Sequence, residues 1–352
     1  MRGNVPSCLD LGALFPERSP VATVPVAHRA ASASAAIPPP VIEDLALVEQ
    51  RLSAELVSRE PRLTEIARHL VAAGGKRIRP MVVSLVFHAT ATGHGERRQD
   101  AVEAAVALEL IHTATLLHDD IIDGGEIRRG QPSALRQFGL ADTLVAGDFL
   151  FCRAFALCAR FEPEVVRWAA EACVSLTEGE MLQGRKRRDP AVTETDYLEI
   201  IRRKTASLFA VGARTAAHLA GASPAVVDAL ATIGEHVGLA FQMSDDLLDV
   251  APTAVTGKPR GIDIRDGNPS LPIVLSLPKD PELARIFTQA RPTRGDIEAA
   301  IARIHAGGAL AEVAARARQH LDLACQGLGR LPPSPFREAL RQLVEGLADR
   351  LA

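Results

Sequence analysis

From Val41 onward, apolar residues recur three or four positions apart, which is the spacing of helices that bury one face. Pro61 interrupts the first such stretch, which ends at Ala73, and a second helix is predicted from Pro80 to just before Gly93. The strict alternation of apolar and polar residues that is typical of strands is scarce. The pattern therefore predicts an all-helical (all-α) fold.

The same periodicity predicts helices along most of the remaining chain. Asp100 and Glu103 have the spacing of a capping pair for a helix that Gly124-Gly125 ends. Further helices are predicted at 141–160, 163–184, 194–219 and 224–250. Residues 251–270 are rich in glycine and proline and are predicted to form a long functional loop, after which the chain is helical again.

Residues 1–40 have a different composition, with seven prolines, many alanines and serines, and no periodicity. They are predicted to form a disordered tail before one large domain over residues 41–352. Asp10, Glu17 and the prolines break up any apolar segment of the kind a secretory signal needs. A transit peptide is the alternative, although the same acidic residues argue against it. We therefore expect a cytoplasmic protein, and no apolar run is long enough to predict a membrane span.

Charge and cysteine content narrow the possible functions. A formal net charge of −3 gives no reason to expect nucleic-acid binding. The five cysteines lack the spacing of metal ligands. The basic run Arg185-Lys186-Arg187-Arg188 is interpreted as a solvated loop between helices, with binding of anionic lipid or another partner as the alternative.

Two copies of one acidic pattern lie inside apolar helical stretches. They are Asp119-Asp120-Ile121-Ile122-Asp123 and Asp245-Asp246-Leu247-Leu248-Asp249. In each copy the first and last aspartates lie on one helix face, about one turn apart. A solvated helical turn is the alternative, but apolar residues flank both copies. Buried carboxylates repel one another, and Mg²⁺ bound together with a polyphosphate would relieve that repulsion.

Basic residues occur at several places where a polyphosphate could use them. The segments are Gly74-Gly75-Lys76-Arg77-Ile78-Arg79-Pro80, Arg128-Arg129-Gly130, Lys204-Thr205 and Gly257-Lys258. With the acidic motifs, they resemble the trans-isoprenyl diphosphate synthase (polyprenyl synthetase) family, and in particular its medium- and long-chain all-trans members. The matching motifs run in order from Gly74 to about Pro272: GGKRIRP, LIHTATLLHDDIID, RRG, GDFLF, EGEMLQ, KTASLF, FQMSDDLLD, GKPRGIDI and LP.

The resemblance implies a helical bundle around a deep central cavity, usually in a homodimer. It also implies a reaction in which isopentenyl diphosphate attacks the cation left when an allylic diphosphate, farnesyl or geranylgeranyl, loses pyrophosphate. The implied cofactor is Mg²⁺, about three ions per active site once diphosphate is bound. Pyrophosphate itself is the implied proton acceptor, so no side chain is assigned as general base.

The resemblance also implies roles for individual residues. The Mg²⁺ ligands, which with Lys204 form the catalytic set, would be Asp119, Asp120, Asp123, Asp245, Asp246 and Asp249. The allylic diphosphate would contact Arg128, Lys204 and Lys258, with Thr205 and Gln242 nearby. Isopentenyl diphosphate would contact Lys76, Arg79, His112 and Arg129. Asn268 departs from the pattern because many members carry lysine there.

Residues on the helix before the first motif are predicted to form the floor that limits product length. Ala114 and Thr115 lie one turn before Asp119 and are small, with Ile111 and Leu108 deeper. Small residues leave the floor open, which favours a medium- to long-chain product. A short-chain enzyme that makes the C20 geranylgeranyl product is the main alternative, because these residues could equally be ordinary packing residues beneath another plug.

Two remoter alternatives share the fold. A class I terpene cyclase also carries an acidic motif, but it usually lines its pocket with aromatic residues, and this chain is 4% aromatic. A non-catalytic partner subunit tends to lose carboxylates or basic residues of the motifs, and none is lost here. A long product would be nearly insoluble, so at most transient contact with a membrane surface is expected.

Overall fold

The protein is described by a computed structural model over residues 37–72, 74–91, 97–251 and 260–348. The regular secondary structure of these residues is helical, apart from a short antiparallel ribbon of β1 (Ile127–Arg128) and β2 (Gln131–Pro132). The predicted all-helical fold is confirmed. Most of the predicted tail and the Gly257-Lys258 pair lie outside the described residues, while the first helix begins at Pro39.

The helices follow the predicted order closely. The first seven are α1 (Pro39–Glu55), α2 (Pro61–Ala72), α3 (Ile78–Thr90), α4 (Arg98–Ile122), α5 (Ala134–Phe138), α6 (Leu140–Cys158) and α7 (Pro163–Lys186). Next come α8 (Glu194–Ile201), a π-helical turn (Arg202–Ala206), α9 (Ser207–Leu219), α10 (Pro224–Val250), α11 (Ile262–Asp266) and α12 (Leu271–Ser276). After a 3₁₀ turn (Leu277–Lys279) follow α13 (Pro281–Phe287), α14 (Arg294–Ala306), α15 (Ala309–Leu328) and α16 (Pro335–Ala348).

Helix α4 lies at the centre of the bundle and packs against α3, α6 and α9, while α10 packs against α9 and α15. Leu110, Ile111 and Leu117 of α4 are almost fully enclosed in the larger of two apolar cores. By length and apolar content α4 could cross a membrane, but 78% of its most apolar window is buried inside the protein. It is thus placed as a core helix.

Three details differ from the sequence predictions. Helix α4 begins at Arg98, so Asp100 and Glu103 do not form the predicted cap and instead accept hydrogen bonds from Arg97 and Arg51. The predicted helix 194–219 is interrupted by the π-helical turn. The predicted loop 251–270 contains the short helix α11, because Gly261 and Gly267 adopt left-handed conformations on either side of it.

Candidate active site

Both acidic motifs lie at the C-terminal ends of long helices. Asp119 and Asp120 are in the last turn of α4 and Asp123 follows directly, whereas the second motif occupies the last turns of α10. A helix carries partial negative charge at its C-terminus, so carboxylates are destabilised there. Positive charge is therefore needed to balance these carboxylates, and neighbouring lysine and arginine side chains provide part of it.

A cavity of about 240 Å³ brings residues of the two motifs together. Its lining includes Asp119, Asp123, Gln183, Tyr197, Lys204, Thr205, Gln242, Asp246, Asp263, Asn268 and Ser270. Residues from distant parts of the chain that are predicted to hold the same diphosphate therefore line one cavity.

Asp119 and Lys204 face each other in this cavity, with Lys204 Nζ 3.7 Å from Asp119 Oδ1. Burial raises the pKa of Asp119 to about 6, although the Lys204 charge opposes this rise. Burial alone would lower the pKa of Lys204, but the carboxylates of Asp119 and Glu180 raise it. The lysine is thus a cation, also paired with Glu180.

The π-helical turn sets the position of Lys204 and Thr205. A Cβ on Gly179 of α7 would lie 2.7 Å from the Lys204 backbone nitrogen, and one on Gly238 of α10 would lie 2.6 Å from Ala206 Cα. These glycines let α7 and α10 approach the turn from two sides. The Thr205 hydroxyl then donates to Gln242 Oε1 over 2.8 Å.

Asp246 is held by three protein donors. The Tyr197 hydroxyl and the Leu271 backbone N–H donate to Oδ2 over 2.7 and 3.0 Å, and Gln242 Nε2 donates to Oδ1 over 3.0 Å. Burial nevertheless raises its pKa to about 6. Asp249 likewise accepts hydrogen bonds from the backbone N–H groups of Ile262 and Asp263.

Asp120 is 1% exposed, and one of its two carboxylate oxygens is buried without a hydrogen-bond partner. Its Oδ1 pairs with the Arg128 guanidinium, while Oδ2 is buried without a hydrogen-bond partner. A buried carboxylate oxygen of this kind normally finds a donor or a metal ion. Arg128 therefore lies beside the first motif, as predicted, although its contact here is with the aspartate.

The residues predicted to bind isopentenyl diphosphate lie near α3 and α4. The Arg79 guanidinium carbon is 4.8 Å from the centre of the Phe209 ring, and Arg79 Nε is buried without a hydrogen-bond partner. Burial lowers the pKa of Arg79 despite the charges of Glu109 and Asp245. Lys76 is exposed on the segment between α2 and α3.

His112 is a neutral imidazole in this group. Burial, together with the charges of Arg79 and Arg129, lowers the pKa of His112 well below its usual range. The Arg129 backbone has a positive φ of 52°, and the pKa of Arg129 is lowered by its own burial and by the nearby Arg77 charge. Arg77 itself is a structural residue, since it pairs with Glu49 and Glu109.

The predicted floor residues lie in the core beneath the first motif. Ala114 is 0% exposed and Ile111 is 1% exposed, while half-buried Thr115 donates its hydroxyl to the His112 carbonyl. The 240 Å³ cavity is not lined by any of these three. Their role in product length stays a prediction.

The interpretation of the basic run Arg185-Lys186-Arg187-Arg188 as a solvated loop was wrong for three of its four residues, since only Arg185 in this run is exposed. Arg187 pairs with Asp123, Arg188 donates to the carbonyl oxygens of Arg265 and Gln289, and Lys186 Nζ is 3.1 Å from Asp196. Their partners lie far away in sequence or on the next helix, so a charge run alone gave no signal of these contacts.

Sequence reasoning also missed three residues at this site. Tyr197 and Asp263 line the cavity, and Glu180 pairs with Lys204. Glu180 and Asp263 lie inside the EGEMLQ and GKPRGIDI motifs and could have been found there. Burial and the charge of Asp249 raise the pKa of Asp263 well above its usual range.

A sequence model of the polyprenyl synthetase family matches residues 60–304 of the chain. This chain belongs to the polyprenyl synthetase family. Among its relatives, geranylgeranyl diphosphate synthase of Methanosarcina mazei is 36% identical, covering 84% of this chain and 91% of that protein. Octaprenyl diphosphate synthase of Escherichia coli is 35% identical, covering 85% and 93%. A crystal structure of polyprenyl synthase from Caulobacter crescentus, complexed with calcium and isoprenyl diphosphate, is 36% identical with a TM-score of 0.82, covering 89% and 96%.

Membership of the polyprenyl synthetase family confirms the resemblance found in the motifs and makes the protein a prenyltransferase. The similarity to solved polyprenyl synthases confirms the isoprenoid synthase type of fold. It also favours a synthase over a class I terpene cyclase. Of the predicted site residues that the structure describes, those that line the 240 Å³ cavity are Asp119, Asp123, Lys204, Thr205, Gln242 and Asp246.

Proposed function

We propose that this member of the polyprenyl synthetase family is a Mg²⁺-dependent synthase that joins isopentenyl diphosphate to an allylic diphosphate. The C–O bond of the allylic diphosphate breaks, and the leaving pyrophosphate takes the bonding electrons. The double bond of isopentenyl diphosphate attacks the allylic cation, and transfer of a proton to the released pyrophosphate then restores a double bond. The observation that carries the proposal is the convergence of both acidic motifs and Lys204 on one cavity.

The carboxylate set fits a hard divalent cation. Asp120 Oδ2 is buried without a donor, and both motifs lie at negative helix ends. No three carboxylate, histidine or cysteine side chains among the described residues converge closely enough to hold an ion alone. Diphosphate oxygens would complete the coordination, as Mg²⁺ prefers. When bound, Mg²⁺ would stabilise charge on the leaving pyrophosphate.

The other roles are divided between two groups of side chains. Lys204 and Arg128 would donate to the allylic diphosphate, with Thr205 and Gln242 orienting the metal-binding carboxylates. Arg79 and neutral His112, on the α3 side, would bind isopentenyl diphosphate, together with Lys76 and Arg129. Lys258 completes the proposal for the allylic site but lies outside the described residues.

The proposed product is an all-trans polyprenyl diphosphate of medium to long chain. Small Ala114 below the first motif supports this length, as do the names of the octaprenyl and decaprenyl synthases among the similar proteins. A C20 product remains the second candidate, since geranylgeranyl diphosphate synthases are similar to the same degree.

Incubation with Mg²⁺, labelled isopentenyl diphosphate and farnesyl diphosphate, followed by chromatography of the dephosphorylated products, tests both parts of the proposal. We expect a ladder that ends well beyond C20. A single C20 product would retain the synthase and reject the chain length. No incorporation with any allylic primer would reject the synthase.

We also propose that the protein is a homodimer joined through α6 and α7. These neighbouring helices carry exposed apolar side chains, namely Leu144, Val145, Phe155, Val174 and Met181. Exposed apolar residues grouped on adjacent helices are typical of interfaces between subunits. A second copy of the chain would cover them.

A further inference from the structure

Arg187, at the C-terminal end of α7, is held in a defined orientation by three contacts. Its Nη2 pairs with Asp123 Oδ1, its Nη1 donates to the Ile122 carbonyl over 3.3 Å, and its Nε donates to Asn268 Oδ1 over 3.0 Å. Gln183 Nε2 donates to the same Asn268 oxygen over 3.1 Å. The Arg187 side chain is 22% exposed, so the guanidinium is largely withdrawn from solvent.

This guanidinium stands at the edge of the catalytic cavity. Arg187 contacts Asp123 and Asn268, and Gln183 shares the Asn268 oxygen with it. All three of these residues line that cavity. Asp123 and Arg187 also line a neighbouring cavity of about 320 Å³. A ligand in the catalytic cavity near Asp123 would therefore lie close to the Arg187 nitrogens.

Other cations at this end of the site have different partners. Arg265 makes a two-pronged pair with Asp266 over 2.7 and 2.9 Å, and Arg188 donates to backbone carbonyl oxygens. Arg187 is paired with an aspartate that the proposed function assigns to a metal ion. Binding of that ion to Asp123 would release Arg187 donors, and a guanidinium with released donors suits the oxygens of a diphosphate.

We propose that Arg187 is a diphosphate-binding residue that exchanges partners. In the metal-free protein it neutralises Asp123. Once Asp123 holds a metal ion, Arg187 donates hydrogen bonds to the oxygens of the bound diphosphate. This inference rests on the proposed function, because it takes Asp123 as a metal ligand.

Because of this exchange, the Arg187→Gln substitution should weaken the binding of pyrophosphate and strengthen the binding of a metal ion. Inorganic pyrophosphate, titrated calorimetrically at saturating Mg²⁺, should bind about ten- to a hundredfold more weakly, the usual effect of losing hydrogen bonds to a charged group. Mn²⁺ without diphosphate meets an incomplete set of protein ligands and should bind weakly to the original protein. It should bind more tightly to the variant, because no arginine competes for Asp123, and the paramagnetic resonance of the free ion measures the difference. A merely structural ion pair would not produce this opposite response.

Arg185→Gln is the matched control, since Arg185 is an exposed arginine in the same basic run. It should leave both affinities within about twofold of the original protein. A second variant combines Arg187→Gln with Asn268→Lys, which puts a cation at the position of the amide that contacts Arg187. This variant should recover most of the pyrophosphate affinity. Thermal melting of each variant checks that it is folded.

Unchanged pyrophosphate affinity in Arg187→Gln, or parallel weakening of Mn²⁺ and pyrophosphate, would overturn the assignment. Prenyl transfer by the original protein separates this result from the proposed function. If the original protein makes polyprenyl product while Arg187→Gln titrates like it, only the role of Arg187 fails. If the original protein binds Mg²⁺ and pyrophosphate but makes no product, the synthase proposal fails.

Discussion

Asp119 lines the cavity and faces the ammonium group of Lys204, so both its charge and its oxygens matter. We expect Asp119→Asn to lower kcat by about two to three orders of magnitude, because a ligand that stabilises the leaving group is lost. Steady-state assays of prenyl transfer measure the change. Asp322→Asn on the exposed face of α15 is the control, and near-original turnover in Asp119→Asn would contradict the metal assignment.

The raised pKa of Asp119 predicts how stability depends on pH. The carboxyl titrates near 3.8 when unfolded and at about 6 when folded, so the folded protein binds more protons between these values. The free energy of unfolding of the metal-free protein should therefore fall as pH rises from about 4 to about 6, by up to about 3 kcal/mol from this group.

Urea unfolding at several pH values, compared between the original protein and Asp119→Asn, isolates this contribution from those of other groups. The variant should lose less stability across the interval. Equal slopes in the two proteins would mean that Asp119 titrates normally in the fold.

At the scale of the helices, the approach of α7 to the π-helical turn should be sensitive to one methyl group. Gly179→Ala places a Cβ 2.7 Å from the Lys204 nitrogen, so the turn must move. We expect a loss of about 1–3 kcal/mol in unfolding free energy and a clear fall in kcat.

Gly184→Ala is the matched control on the same helix, because a Cβ there meets nothing within 4 Å. It should stabilise the protein by about 0.5–1 kcal/mol through the better helix propensity of alanine, with turnover unchanged. Similar behaviour of the two variants would show that the close approach at Gly179 does not position Lys204.

A substitution in helix α4 tests which residues limit the length of the product. Ala114→Phe should shorten the products, because the ring would fill space beneath Asp119, at a cost of about 1–3 kcal/mol for overpacking. Chromatography of products from the folded variant measures the change. An unaltered ladder would place the floor elsewhere.

Sequence reasoning located the helices because proline, glycine and apolar spacing act locally. Pro61, Pro163 and Pro224 each begin a helix where such a residue predicts one. The π-helical turn carries no compositional signal, since it depends on close packing against Gly179 and Gly238. The ordered motifs showed which residues belong to the site. Contacts between distant segments, such as Arg187 with Asp123, could be found only from the three-dimensional fold.

At the scale of the whole molecule, the apolar surface of α6 and α7 predicts assembly. Val174 and Met181 are 58% and 64% exposed, which is unfavourable unless another surface covers them. We expect light scattering after size exclusion to give the mass of a dimer, and Val174→Asp with Val145→Asp to give a monomer. A monomeric original protein would contradict the proposed interface.

The position of both acidic motifs at the carbonyl ends of α4 and α10 has a consequence for the lifetime of the protein. Carboxylates at those ends destabilise the ligand-free fold, and a metal–diphosphate complex that neutralises them stabilises it by mass action. With the proposed function, the supply of substrate thus sets how often the protein unfolds. When isoprenoid precursors are scarce, degradation of unliganded copies would lower the amount of enzyme without any dedicated regulator.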